Sequence, residues 1–252
     1  MLQKIKNILI SRRNEFRKLC VINDINLDYK RNKSEFYLLK CIFYNREYSD
    51  YFPFFKKAIV IDIGAHYGYF SIFASKNLDK SSKIISIEPS GKNFQQLNSN
   101  IKNCKLTNVN CFNIAIGAKK KLGKLYKSKS VNHSIFKDYS LLKNNLEYED
   151  VKINTLENII IENKLDKIDF LKMDCEGAEY SILENTPKKI FDKIQTISLE
   201  FHDLKDKNYT AQRIVDILIE NDFKIVKYQY SKTSMNLNYG KIIGTKILNE
   251  LK

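Results

Sequence analysis

The sequence predicts a doubly wound α/β fold, a mostly parallel sheet with helices on both faces, preceded by a helical segment. Three observations predict it. From residue 58 onward, short apolar runs alternate with amphipathic stretches, the pattern of strands joined by crossover helices. The first run leads into a turn with two glycines, Gly64 and Gly68, that opens a helix, which is where an open α/β sheet takes its ligands. The 252 residues, 43% of them apolar, suffice for one sizeable core, and no Pro/Gly/Ser-rich linker divides the chain.

Residues 2–19 set Leu2, Ile5, Ile8, Leu9, Phe16 and Leu19 on one helical stripe opposite basic residues, fit for core packing or for docking on a membrane or partner. A second helical pattern runs through Phe36, Leu38, Leu39, Ile42, Phe43 and Tyr44, and Pro53 closes this part. The expected organisation is therefore a helical extension over 1–57 and a main domain over 58–252. In that domain, strands are expected at 58–64, 83–89, 109–116, 168–174, 194–201, 223–230 and 241–248. Helices are expected near 68–78, 91–102, 155–164, 178–186 and 209–221. Residues 117–154 interrupt the rhythm with a Lys-, Ser- and Asn-rich insertion. It is expected to hold a hairpin at Lys124–Lys127 and a loop near the sheet's carboxyl edge, where long loops carry substrate contacts.

The net charge of +14 raises the question of nucleic acid, anionic lipid or a phosphorylated substrate. Only six of the 43 basic residues are Arg, the residue whose fork reads bases and clamps phosphates. The lysines are spread along the chain, as on a generic solvated surface. Five cysteines, at 20, 41, 104, 111 and 175, form no CxxC pair and read as reduced thiols of a cytoplasmic protein. Lys4, Lys6, Arg12 and Arg13 break any signal-peptide core, and no apolar run approaches the ~20 residues of a membrane span.

The turn Asp62-Ile63-Gly64-Ala65-His66-Tyr67-Gly68 discriminates between ligands. A dinucleotide fingerprint needs Gly at its first, third and sixth positions, and counted from Gly64 the latter two hold His66 and Tyr69. The nicotinamide reading fails, and DxGxxxG suits a nucleoside without a pyrophosphate. Glu88 ends the next strand, where a carboxylate accepts both ribose hydroxyls of an adenosine. Asn113 and Ala115, at the third strand's end, are placed to flank the adenine edge.

Together DIGAHYG at 62–68, SIEP at 86–89 and LKMDCEGAEYSIL at 171–183 resemble the S-adenosylmethionine-dependent methyltransferases of the FkbM family, over about residues 58–203. The run Asp174-Cys175-Glu176-Gly177-Ala178-Glu179 is the most specific part. The resemblance implies a class I methyltransferase sheet, Rossmann-like and seven-stranded with an antiparallel final strand. It also implies S-adenosylmethionine as cofactor and O-methylation of alcohols on sugars or natural products. Cofactor binding then falls to Asp62, Gly64, Ala65, His66, Gly68, Glu88, Asn113, Ala115 and Asp174, with Asp62 facing the positive sulfonium and amino group. Two positions depart from the family pattern: His66 stands where Asn is usual, and Glu157 where Asp is common.

A sugar hydroxyl needs alignment with the methyl group, and a base or a cation for its developing charge. Asp174 and Glu176 follow the fourth strand, and Glu200 and His202 close the fifth. The expected catalytic residues are His202, Asp174, Glu200 and His133, the last from the insertion. His202 reads as a general base oriented by a carboxylate. Alternatively, Asp174, Glu200 and His202 hold Mg²⁺ or Mn²⁺. Glu176 and Glu179 also suit the N-terminus of the following helix.

The leading expectation is an O-methyltransferase acting on a sugar, in a nucleotide-activated form destined for surface polysaccharide, with Lys119–Lys121, Lys124, Lys127 and Lys129 receiving the diphosphate. A nucleic-acid methyltransferase is the alternative, but the fourth strand lacks the (Asn/Asp)-Pro-Pro-aromatic run that holds a flipped base. A non-catalytic binding domain is the third reading.

Overall fold

The structure is a computed structural model that describes residues 14–27, 33–126, 147–202, 209–232 and 238–247. Its central sheet starts with β1 (Ile59–Ile63), from which the chain runs through α3 (Tyr69–Asn77) to β2 (Lys83–Ile87) and through α4 (Gly91–Asn103) to β3 (Val109–Phe112). Two helices precede it, α1 (14–22) and α2 (Lys33–Phe43). After β4 (Ala115–Ile116), β5 (Lys121–Tyr126), β6 (Tyr148–Asn154) and α5 (Leu156–Glu162), the chain returns to the centre as β7 (Phe170–Met173). It continues through α6 (Glu179–Glu184), α7 (Lys188–Phe191), β8 (Thr196–His202), α8 (Ala211–Glu220), β9 (Phe223–Lys232) and β10 (Asn238–Lys246).

The seven-stranded order is β3-β2-β1-β7-β8-β10-β9, with β10 antiparallel to both neighbours and the pairs from β3 to β8 parallel. The fold class, including the antiparallel final strand, is as expected from the sequence. Strand order reverses between β1 and β7, so the turns after these strands diverge and leave a crevice, the general ligand position of such sheets.

Alternation along the strands separates two cores. Ile61, Ile63, Ile85, Leu171, Met173, Leu199 and Phe201 face α5 to α8. Val60, Ile84 and Phe170 face α3 and α4 and the N-terminal part. Phe16, Leu39, Phe43, Tyr48 and Phe52 belong to that second core together with Phe70 and Phe73. The described residues of the segment expected as an extension over 1–57 thus share apolar contacts with the sheet, Phe52 meeting Phe170 ring to edge at 5.3 Å, while Leu2, Ile5, Ile8 and Leu9 lie outside the described residues.

The run expected as one strand over 109–116 is two. β3 ends at Phe112, where the Asn113 side-chain amide donates to the carbonyls of Glu88 and Pro89, both at 2.9 Å. The chain turns out of the main sheet there, and β4 joins a separate three-stranded sheet of order β4-β6-β5. Within the insertion β5 pairs antiparallel with β6, from Lys121–Ile153 to Tyr126–Tyr148, and residues 127–146 between the two strands lie outside the described ones. Lys127, Lys129 and His133 lie outside the described residues, as does Leu248 of the last expected strand.

Candidate functional site

The turn after β1 takes three left-handed backbone positions, Gly64 at φ 76°, His66 at 51° and Gly68 at 80°. A Cβ on Gly64 would lie 1.8 Å from the Asp174 carbonyl oxygen, so glycine is what lets the β1 and β7 ends come together. The Gly64 and Ala65 amides both donate to the Ile87 carbonyl, at 3.0 and 2.9 Å, and the Asp174 amide donates to Ile63 at 3.0 Å. Gly68 passes the chain into α3 against Leu97, whose Cδ1 would stand 2.3 Å from a Cβ there.

Asp62 does not face the crevice as the sequence led us to expect. Its side chain is fully buried, with Oδ2 accepting from Ser71 Oγ at 2.7 Å and Oδ1 lying 3.1 Å from Lys172 Nζ. It serves the site from behind, because Lys172 also donates to the Gly64 carbonyl at 2.8 Å. Burial opposes the ammonium charge, but Asp62 and Asp174 outweigh it and hold Lys172 above the usual lysine range.

Two cavities open on this edge. The smaller, about 120 Å³, is lined by Ile87, Glu88, Ile114, Ala115, Ile116 and Leu125 and by the turn residues Gly64 and His66. Glu88 is 5% exposed. Its Oε2 accepts from the His66 amide at 2.8 Å, and its Oε1 from the Ser90 amide at 3.0 Å and Asn93 Nδ2 at 3.4 Å. Burial nevertheless pushes its carboxyl up to about 7. Asn113 is exposed and spends its amide on the turn at 88–89, so it shapes this cavity without lining it.

The larger cavity, about 450 Å³, shares Leu38, Gly64, His66, Asp174 and Glu176 with the smaller one and adds Glu200 and His202. The predicted cluster of carboxylates and imidazole is therefore one site. His202 Nε2 lies 3.4 Å from Glu176 Oε2 and 3.4 Å from Glu200 Oε1, and Nδ1 lies 3.7 Å from Glu179 Oε1. Burial disfavours a charged ring, but Glu176, with Glu179 and Glu200, prevails and holds His202 well above the usual histidine range. An imidazolium has no lone pair to take a proton, so this setting favours charge stabilisation over the base role read from the sequence. Burial raises Glu176 to about 8, so that this carboxyl tends to keep its proton near neutrality; it also raises Glu200, which lines the larger cavity and is the carboxylate placed to accept a proton. Glu179 is fully buried and accepts from the Cys175 amide at 2.9 Å at the start of α6, the helix-end role weighed above.

Sequence reasoning missed the far wall. Tyr48, from the segment after α2, donates its hydroxyl to Asp174 Oδ2 at 3.3 Å. Its ring carries the Lys241 ammonium at 3.6 Å from the centroid, and Lys241 also donates to the Glu47 carbonyl. Burial lowers Lys241 to about 8. No motif marks these residues; only Lys172 left a signal, as a lysine mid-strand in an otherwise apolar run. Of the lysines expected to receive a diphosphate, Lys119, Lys121 and Lys124 line another cavity with Ser181, apart from the carboxylate cluster.

The crevice at the switch point, with an apolar cavity ending in Glu88 and a carboxylate-rich chamber beside it, belongs to the class I methyltransferase fold. The family model described as "Methyltransferase FkbM domain" matches residues 62–225, and the chain belongs to that family of S-adenosylmethionine-dependent methyltransferases. The protein named Methyltransferase 1 from Beauveria bassiana is 24% identical over 202 residues, covering 71% of this chain and 78% of that protein. The METTL16 MTase domain shares 10% identity at a TM-score of 0.53, covering 94% of this chain and 79% of that one. An rRNA methylase from Streptococcus thermophilus shares 10% at a TM-score of 0.49, covering 80% and 95%. Likeness at these identities is one of fold. Among the described residues, no helix is long and apolar enough to cross a membrane.

Proposed function

We propose that the protein transfers the methyl group of S-adenosylmethionine to a hydroxyl of a sugar. The adenosine occupies the smaller cavity with its ribose hydroxyls on Glu88, and Gly64, Ala65 and His66 cradle the methionine end. The acceptor enters the larger cavity. The observation that carries this reading is the grouping of Asp174, Glu176, Glu200 and His202 in that cavity, beside the turn shared with the smaller one. Methyl transfer to a hydroxyl breaks the S–CH₃ bond, forms an O–CH₃ bond and releases one proton. Glu200 takes that proton, and the His202 imidazolium steadies the charge. Tyr37, Tyr67 and Tyr239 line the cavity and offer it aromatic side chains against which a sugar ring can pack. A screen of free, phosphorylated and nucleotide-activated sugars with methyl-labelled cofactor tests this, and His202→Ala is expected to lower kcat about 100-fold with cofactor affinity kept. Label on nitrogen or on RNA, or unchanged turnover in the variant, contradicts it.

A divalent cation is a second reading, favoured because Asp174, Glu200 and His202 offer ligand atoms within 4.8 Å of one another. These oxygen and nitrogen donors suit Mg²⁺ or Mn²⁺, which would polarise the hydroxyl, although His202 must first give up its proton. With the carboxylates as base, turnover is expected to survive exhaustive chelation. Loss of activity that added Mg²⁺ restores would establish the metal instead.

Glu88 gives a pH test. Its usual value of 4.5 is raised to about 7 in the fold, so between these values the folded chain holds a proton that the unfolded chain has released. Its contribution to stability therefore falls as pH rises through that window. Ribose hydroxyls favour the ionised form, so S-adenosylhomocysteine is expected to bind roughly tenfold more weakly at pH 6 than at pH 8. Glu88→Gln is expected to flatten the titration profile.

A further inference from the structure

Asp62 on β1 and Lys172 on β7 are direct cross-strand partners, and both side chains are nearly or fully excluded from solvent. The pair does more than neutralise itself. The same ammonium that lies 3.1 Å from Asp62 donates to the Gly64 carbonyl at 2.8 Å and stands 4.0 Å from Asp174 Oδ2. One cation thus reaches the buried end of β1, the glycine turn and the carboxylate that opens the chamber. Asp62 is held in turn by Ser71, whose hydroxyl is 2.6 Å from that of Ser86 on β2. The strands flanking the crevice are tied to one polar cluster, which reaches the larger cavity through Lys172 and Asp174.

A purely structural ion pair would need no contact with Gly64. That carbonyl belongs to the left-handed residue that starts the turn, and its orientation determines where the following amides point, including the His66 amide that reaches Glu88. We propose that Lys172 is a positioning residue for the cofactor: anchored on Asp62, its ammonium donates to the Gly64 carbonyl and so fixes the turn in the shape that receives S-adenosylmethionine. This goes beyond the choice of acceptor and does not depend on it.

Replacing one member of a buried pair leaves an uncompensated charge, whereas replacing both is close to neutral. That difference separates stability from positioning. Lys172→Met alone is expected to lower the melting temperature and to weaken S-adenosylhomocysteine binding by about tenfold or more. Asp62→Asn/Lys172→Met removes both charges and is expected to recover most of the lost melting temperature. Its binding is expected to stay about tenfold weak, because the Gly64 carbonyl still lacks its donor. Calorimetric titration with S-adenosylhomocysteine, paired with thermal melts of both variants, reads the two effects separately. A double variant that binds within about twofold of the wild type overturns the proposal. So does a double variant no more stable than the single one, since Lys172 would then act through other contacts.

Discussion

Gly64→Ala is expected to abolish measurable S-adenosylhomocysteine binding and to destabilise the fold by at least about 3 kcal/mol. Two costs combine. The backbone at φ 76° is left-handed, which costs an alanine about 1–2 kcal/mol. The added Cβ would lie 1.8 Å from the Asp174 carbonyl oxygen, and that atom is backbone at the end of a central strand, not a side chain that can swing away. Relief requires the ends of β1 and β7 to part, which carries Asp174 off and breaks its amide bond to Ile63. Gly68→Ala should cost less, because the atom it meets is the flexible end of Leu97. Denaturant titration and ligand titration of the two variants check this ordering. Wild-type stability in Gly64→Ala would show that the two strand ends are not in close contact.

Glu88→Ala is expected to weaken S-adenosylhomocysteine by about 2–3 kcal/mol, roughly 30- to 150-fold. The carboxylate stands beside Ile87, Ile114, Ala115, Ile116 and Leu125, an apolar stretch of the cavity wall that can hold an adenine but offers a ribose no hydrogen bond from its side chains. Its loss also leaves the His66 and Ser90 amides and the Asn93 side chain without their acceptor, so the turn loosens. Glu88→Gln keeps an acceptor oxygen and should fall between wild type and Ala. Equal affinity in all three proteins would place the ribose elsewhere.

Much of the architecture was legible because buried parallel strands write themselves as Ile-rich runs: β1, β2, β7 and β8 lie within the expected segments, give or take a residue. The break between β3 and β4 was not legible. It depends on Asn113 reaching the carbonyls at 88–89, a contact across 24 or 25 positions that no local pattern encodes. The small second sheet escaped for the same reason, since β5 and β6 pair across the insertion. At the site, glycine spacing and strand-end carboxylates located the crevice and brought Glu88, Asp174, Glu200 and His202 to it. Asp62 was misread because motif position says which strand a residue ends, not which side of the sheet its partner occupies. The sequence set His202 among strand-end carboxylates, but that Glu179 also comes within 3.7 Å of the ring through the start of α6 is visible only in three dimensions. Tyr48 and Lys241 come from segments outside the family's matched span, so no shared motif announced them.

We assign the cofactor to the Glu88 cavity and the acceptor to the chamber of Asp174, Glu200 and His202. Calorimetric titration of S-adenosylhomocysteine into the wild type, Glu88→Ala and Glu200→Gln tests this assignment. One site is expected in the wild type, with a large loss in Glu88→Ala and affinity within about twofold of wild type in Glu200→Gln. Undiminished binding in Glu88→Ala, or a loss as great in Glu200→Gln, would contradict it.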